Sequence, residues 1–194
     1  MIATRLIAVI VSLTPIPNLA LAQDHSQPYA GQETRSIKSL SDADIQELRQ
    51  GGGWGLALPA ELNGKPGPAH LLEHSAELEL SAEQIAAIEK MFADMRQEAI
   101  STGERLIAAE AALSTAFEGG GPDARQLAEL VQAAEAARSE LRLVHLSRHL
   151  ATPSILTREQ IDKYQVLRGY AEDPCDVVPE GHDATMWKEH NGCG

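Results

Sequence analysis

SAEQIAAIEKMFADMRQEAISTGERLIAAEAALSTAFEGGGPDARQLAELVQAAEAARSELRLVHLSRHL, Ser81 to Leu150, decides the fold. Ser81 and Gln84 form a capping box: the serine bonds forward to the third helical N–H, and the glutamine reaches back to the cap. Apolar residues then fall at Ile85, Ile88, Phe92, Met95, Ala99, Leu106, Ala109, Leu113 and Phe117. These steps of three and four, with one position skipped at Thr102, mark the seam of an amphipathic helix. Gly103 interrupts it at a cost of about 1 kcal/mol and is a candidate bend. Gly119-Gly-Gly-Pro122 ends the run, and Leu127, Leu130, Ala134, Ala137, Leu141 and Val144 carry a matching stripe back. The reading is all-α: a long antiparallel helical hairpin with shorter flanking helices. Each arm, roughly 45 Å long at 1.5 Å per residue, is too exposed to bury both faces alone. A second copy in a two-fold dimer is the economical partner.

Upstream, Pro68 opens a helix at its first turn, where a missing N–H costs nothing, and this helix is read as carrying His70, Leu71, Leu72, His74 and Leu78. Before it, Ser39 or Ser41 caps a short helix that ends at Gly51. Between the two lies a glycine- and proline-punctuated stretch from Gly51 to Pro68. It lacks the Gly-Lys-Ser/Thr of a phosphate loop and any preceding strand, so it reads as a wrap that packs Trp54, Leu56 and Leu58 onto the hairpin. Downstream, Thr157 and Gln160 repeat the capping box, and the helix to about Tyr170 offers Ile161, Tyr164 and Leu167 for packing.

The first 22 residues form an expected cleaved signal peptide: Arg5, the apolar run Leu6 to Leu13, Pro15 and Pro17, then Ala20-Leu-Ala22 as cleavage site. The polar segment from Gln23 to about Ser36 shows no apolar period and is expected to be disordered. Four regions follow: residues 1–22 the signal, 23–67 an N-terminal extension, 68–170 the helical-hairpin domain, and 171–194 a tail. Its Cys175 and Cys193, the only cysteines, are expected to pair in an exported chain, a constraint of about 3 kcal/mol for a loop of this size.

Of 194 residues, 43% are hydrophobic but only 4% aromatic, so a core of Leu, Ile, Ala and Val is expected. The formal charge of −12 and the absence of a basic run exclude a nucleic-acid partner and suit cations instead.

Candidate ligands for a cation cluster at the open end of the hairpin. His70 and His74 stand four apart, as do His145 and His149, so each pair stacks two imidazoles on one helical face. A turn near Gly120 sets His145 beside Met95 and His149 beside Met91. Met95 lies on the apolar stripe and reads as core, whereas Met91 lies off it and is a candidate ligand. Imidazole, with or without thioether, suits zinc, nickel, cobalt or copper and does not distinguish among them. A second candidate site is His182, Met186 and His190 in the tail, were it helical. No nucleophile has an identifiable base, so no enzyme activity is expected.

The boxes Leu80-Ser-Ala-Glu-Gln84 and Leu156-Thr-Arg-Glu-Gln160 resemble the LTxxQ motifs of the Spy/CpxP family of periplasmic proteins, with Ser81 in place of the first Thr. The resemblance is nearest to that family's metal-binding branch, the CnrX-type heavy-metal sensors and zinc-resistance-associated proteins. His70 and His74 match the branch's HxxxH, and Leu143-Val144-His145 with His149 matches its second motif, with His149 in place of methionine. The resemblance, over Pro68 to Tyr170, implies a dimeric helical hairpin in the periplasm. It also implies a glutamate ligand on the first long helix, for which Glu89 is the candidate. Two functions follow as expectations: sensing or buffering a divalent transition metal, with a membrane-bound signalling partner in the sensors, or an ATP-independent chaperone action on unfolded proteins.

Overall fold

The computed structural model describes residues 27–193. The expected signal peptide lies outside them. Contacts divide the chain into two units, Met1–Glu33 and Thr34–Gly194. Of the first, residues 27–33 form turns, with Ala30 N–H donating to Gln27 O and Gln32 N–H to Tyr29 O, leading into a 3-10 turn at Gln32–Thr34. The expected disorder of the early segment therefore gives way to turns wherever it is described.

The second unit is helical, with no strand among the described residues. In order come α1 (Asp42–Gln50), α2 (Leu58–Glu61), α3 (Pro68–Glu73), α4 (Ala82–Glu118), α5 (Ala124–Ala151), a 3-10 turn at Thr152–Ser154, α6 (Arg158–Leu167) and α7 (Ala184–His190). The starts follow from the caps. Ser41, Ser81 and Thr157 each close a capping box, with Asp44, Gln84 and Gln160 respectively. Of the two serines before α1, it is Ser41 that caps. No helix among the described residues is long and apolar enough to cross a membrane.

The long helices α4 and α5 pack together. Their cross-helix ion pairs are Glu98 with Arg148, Arg105 with Glu140, and Glu110 with Arg138. Of the expected neighbours, His145 and Met95 line one cavity, described below, whereas Met91 does not line it with His149.

Two apolar clusters hold the unit. Leu40 and Leu48 join Met95, Ala99, Leu106, Leu141 and Val144 around the middle of α4 and α5, so the segment before α3 shares their core. α4 runs unbroken through Gly103. A Cβ there would lie 2.7 Å from Leu48 O, so the missing side chain lets α1 lie against α4. Thr102, the skipped position, is buried. In the second cluster Leu71, Leu78, Leu80 and Ile88 surround Tyr164.

The two box glutamines meet between α4 and α6. Gln84 Nε2 donates to Gln160 Oε1 (2.8 Å) and Gln160 Nε2 returns the bond (3.1 Å). Each amide also donates to a backbone carbonyl, that of Ile155 or Leu78. Thus one residue type at one spacing both starts its helix and fastens it to the other.

Candidate functional site

Near its C-terminal end α5 presents His145 and His149 one turn apart, both buried, at 3% and 7% exposure. His149 Nδ1 lies 2.7 Å from Lys65 O. A carbonyl only accepts, so Nδ1 carries a hydrogen and donates it, and in the neutral ring Nε2 is the acceptor. Gly67 faces that ring. A Cβ at Gly67 would fall 2.7 Å from both Cε1 and Nε2, and its φ of −82° is open to any residue, so glycine is needed here for room.

His145 is also tied to backbone, at Gly52. Burial pushes its pKa below the ordinary 6.5, and neighbouring His149 pushes it further, against the upward pull of that hydrogen bond. The ring is therefore neutral at pH 7. Its Nε2 is shut off from water and has no hydrogen-bond partner.

The upstream histidines separate. His70 sits on α3 with Nδ1 3.4 Å from Glu61 Oε1. Because α3 ends at Glu73, His74 caps it with φ −102° and turns its ring edge-on to Tyr164, centroids 6.5 Å apart. The expected helix through Leu78 is thus shorter, and its two imidazoles do not stack.

At the centre is Glu61, the last residue of α2 and 5% exposed. Oε1 accepts the Tyr164 hydroxyl in a short hydrogen bond, with Arg168 Nε at 3.5 Å and the Tyr170 hydroxyl at 3.4 Å. Oε2 accepts the Gly67 N–H at 3.2 Å and lies 3.6 Å from His149 Nδ1. Burial raises the carboxyl's pKa, but the hydrogen bonds of His70 and Tyr164 and the charges of His70 and His149 outweigh it, leaving about 2. Tyr164 moves the opposite way: burial, then Glu61, push its hydroxyl far above the usual range, so it remains the donor.

These groups line one cavity of about 520 Å³. His70, His145, His149 and Glu61 share it with Met95, Phe92, Trp54 and the glycines of the loop 51–55. His74, Glu89 and Met91 do not line it; Glu89 is exposed on α4 and Met91 is half-buried. Three of the four expected histidines therefore converge. Among the described residues, no group of three or more His, Cys, Asp or Glu side chains stands ready to hold a metal ion.

In the tail, Cys175 and Cys193 form the expected disulfide. His182 precedes α7, whose cap is Asp183, and its ring lies edge-on to Trp187 at 5.0 Å. His182, Met186 and His190 are exposed and do not share one helical face, because the helix starts after His182.

No protein-family model, no curated protein and no solved structure matches the chain. The site rests on its own chemistry.

Glu61, Gly67 and the Trp54 loop are absent from the sequence-derived site. One signal was there: Glu61 is the only acid in the proline- and glycine-punctuated stretch from Leu56 to Pro68. Such an isolated carboxylate in apolar surroundings points to a buried partner.

Proposed function

We propose that the chain is an exported, periplasmic protein that senses or buffers a divalent transition metal, bound at the box end of an antiparallel helical hairpin. His145 and His149 are its anchors, with His70 and Glu61 completing the set. One observation carries this reading: the buried, partnerless Nε2 of His145 lies one turn from His149, whose Nδ1 is fixed on a carbonyl and whose Nε2 faces the side-chain-free Gly67. Metal-bound histidines characteristically donate their other nitrogen to such a carbonyl. Metal–nitrogen bonds are only about 2.0–2.1 Å, so an ion would sit closer to these nitrogens than a water does.

The donors are neutral nitrogens beside a carboxylate, a set suited to zinc, nickel, cobalt or copper. The ion would supply a binding signal or a store, and no reaction is assigned to it. His70 and Glu61 must shift to join the anchors, so metal binding would tighten α2 and α3 against α5. The resemblance to the Spy/CpxP family's metal-binding branch supports the same reading, as does the disulfide in the tail, which suits an oxidising compartment.

Calorimetric titration of residues 23–194 with the four metals tests the proposal. The His145→Ala/His149→Ala variant is expected to lose at least about a hundredfold in affinity, the order expected when two ligands are removed. His74→Ala is expected to bind as the unaltered chain does. Undiminished binding by the double variant sinks the site.

Leu143 and Leu150 favour an interaction surface. They lie seven residues apart on α5 and are 66% and 74% exposed. A second copy covering them would complete the dimer; unfolded proteins using the same face would instead make the chain a chaperone. Suppression of client aggregation by the metal-free protein separates these two uses.

A further inference from the structure

The cavity exceeds what its histidine corner needs. At about 520 Å³ it has room for on the order of fifteen waters at roughly 30 Å³ each, more than twice the volume of a hydrated ion. Its remaining wall is largely apolar, built from Trp54, Leu58, Phe92 and Met95. Side-chain-bearing walls of this kind, with a few fixed polar groups, are the usual form of an organic-ligand site.

Trp54 is locked in place. Its φ of 45° is the left-handed conformation that tryptophan rarely adopts. Glu47 Oε1 accepts its backbone N–H (2.7 Å), Asp44 Oδ1 accepts its Nε1–H (2.8 Å), and Arg138 lies 4.8 Å over the ring. A rigid aromatic wall costs little further ordering when a ligand lands on it. Polar choice is equally restricted. Glu47 and Glu61 face the cavity and repel anions, while the one arginine on its wall, Arg96, is engaged with Gln50 O (3.1 Å). With Nδ1 of His149 turned to Lys65 O, Nε2 is the nitrogen that the neutral ring offers as an acceptor.

We propose that this cavity binds a small uncharged phenol of one or two rings, its ring packed on the Trp54, Phe92 and Met95 wall and its hydroxyl donated to His149 Nε2. This inference shares His149 with the metal reading but needs no metal. It therefore stands or falls separately.

The test uses metal-free protein in the presence of a chelator. Trp187→Phe leaves Trp54 as the only tryptophan, so its fluorescence, excited at the red edge, reports on the cavity wall. The probes are 4-ethylphenol, ethylbenzene and 4-ethylbenzoate, with calorimetry in parallel. Saturable quenching by 4-ethylphenol is expected, with ethylbenzene about tenfold weaker for want of one hydrogen bond and 4-ethylbenzoate weaker still. His149→Ala should bring the phenol down to the level of ethylbenzene. Ala69→Phe, at an exposed alanine on the cavity's edge, should abolish the response while helical circular dichroism stays unchanged. The proposal is overturned by any one of three results: no saturable response to 4-ethylphenol, 4-ethylbenzoate or ethylbenzene binding as tightly, or an unaltered response in Ala69→Phe.

Discussion

The two ends of the long helix pair are closed by different physics. At the glycine end the chain turns through Gly120 and Gly121, with φ of 106° and 98° and open space where side chains would stand. Nearby Phe117, Leu127 and Val131 remain exposed. At the box end the Gln84–Gln160 pair and the Glu61 hub join α2, α3, α4, α5 and α6 through buried and half-buried polar contacts. The first end is specified by three or four adjacent residues. The second depends on groups distant in sequence, and that is where unsatisfied chemistry gathers.

The contrast is broken most severely at Glu61. Glu61→Ala leaves Tyr164 and the Gly67 N–H without their acceptor and Arg168 without its ion-pair partner, and should cost about 3–5 kcal/mol in urea unfolding. A loss below 1 kcal/mol would mean the hub is not a stabilising centre. The same carboxyl sets an acid limb. Its pKa falls from 4.5 to about 2 on folding, so its contribution is fully present above pH 4.5 and is lost as pH falls through about 2. Glu61→Gln should flatten the stability profile in that window. His145, lowered from 6.5, adds a separate loss as pH falls below 6.5, because the unfolded chain then takes the proton first.

Gly67→Ala should cost about 1–3 kcal/mol, since its methyl group would meet the His149 ring, and it should weaken metal binding in the same titration. Gly120→Ala, where only the backbone objects, should cost about 1 kcal/mol and leave binding alone. Equal effects on binding would erase the distinction between the ends.

Gln84→Ala and Gln160→Ala should each cost about 1–2 kcal/mol, and a double-mutant cycle should return a coupling of at least about 0.5 kcal/mol. Additive losses would mean that the boxes act only as separate caps. Smallest is Phe117→Ser, which should stay within about 0.5 kcal/mol by thermal unfolding, as befits an exposed side chain at the plain end.

The helices were legible because their signals are local. Ser81, Thr157 and Pro68 mark three starts, and the three-four spacing marks the buried stripe through Ile88, Met95, Ala99 and Leu106. The convergence of His70, His145 and His149 on one cavity was also within reach, since an i, i+4 pair on α5 and a helix before α4 place them at one end. The place of His74 is not legible in the sequence, because helix propensity does not reveal that α3 stops at Glu73, where Tyr164 offers its ring a contact. Sequence alone does not single out Glu61, because the carboxylate's partners lie up to 109 positions away. Leu58, expected to pack, is 53% exposed: the wrap turns into α2 at that residue, and it is Trp54 and Leu56 that reach the core.

The reciprocal glutamine pair has a kinetic consequence. Gln84 and Gln160 are 76 residues apart, and neither amide is fully satisfied until the chain between them has doubled back. Each box can start its own helix early, on local bonds alone, while the clasp has to wait for the slow closure of a long loop. Weakening the clasp should therefore quicken unfolding and leave the folding rate nearly untouched, making this pair a latch on the lifetime of the native state.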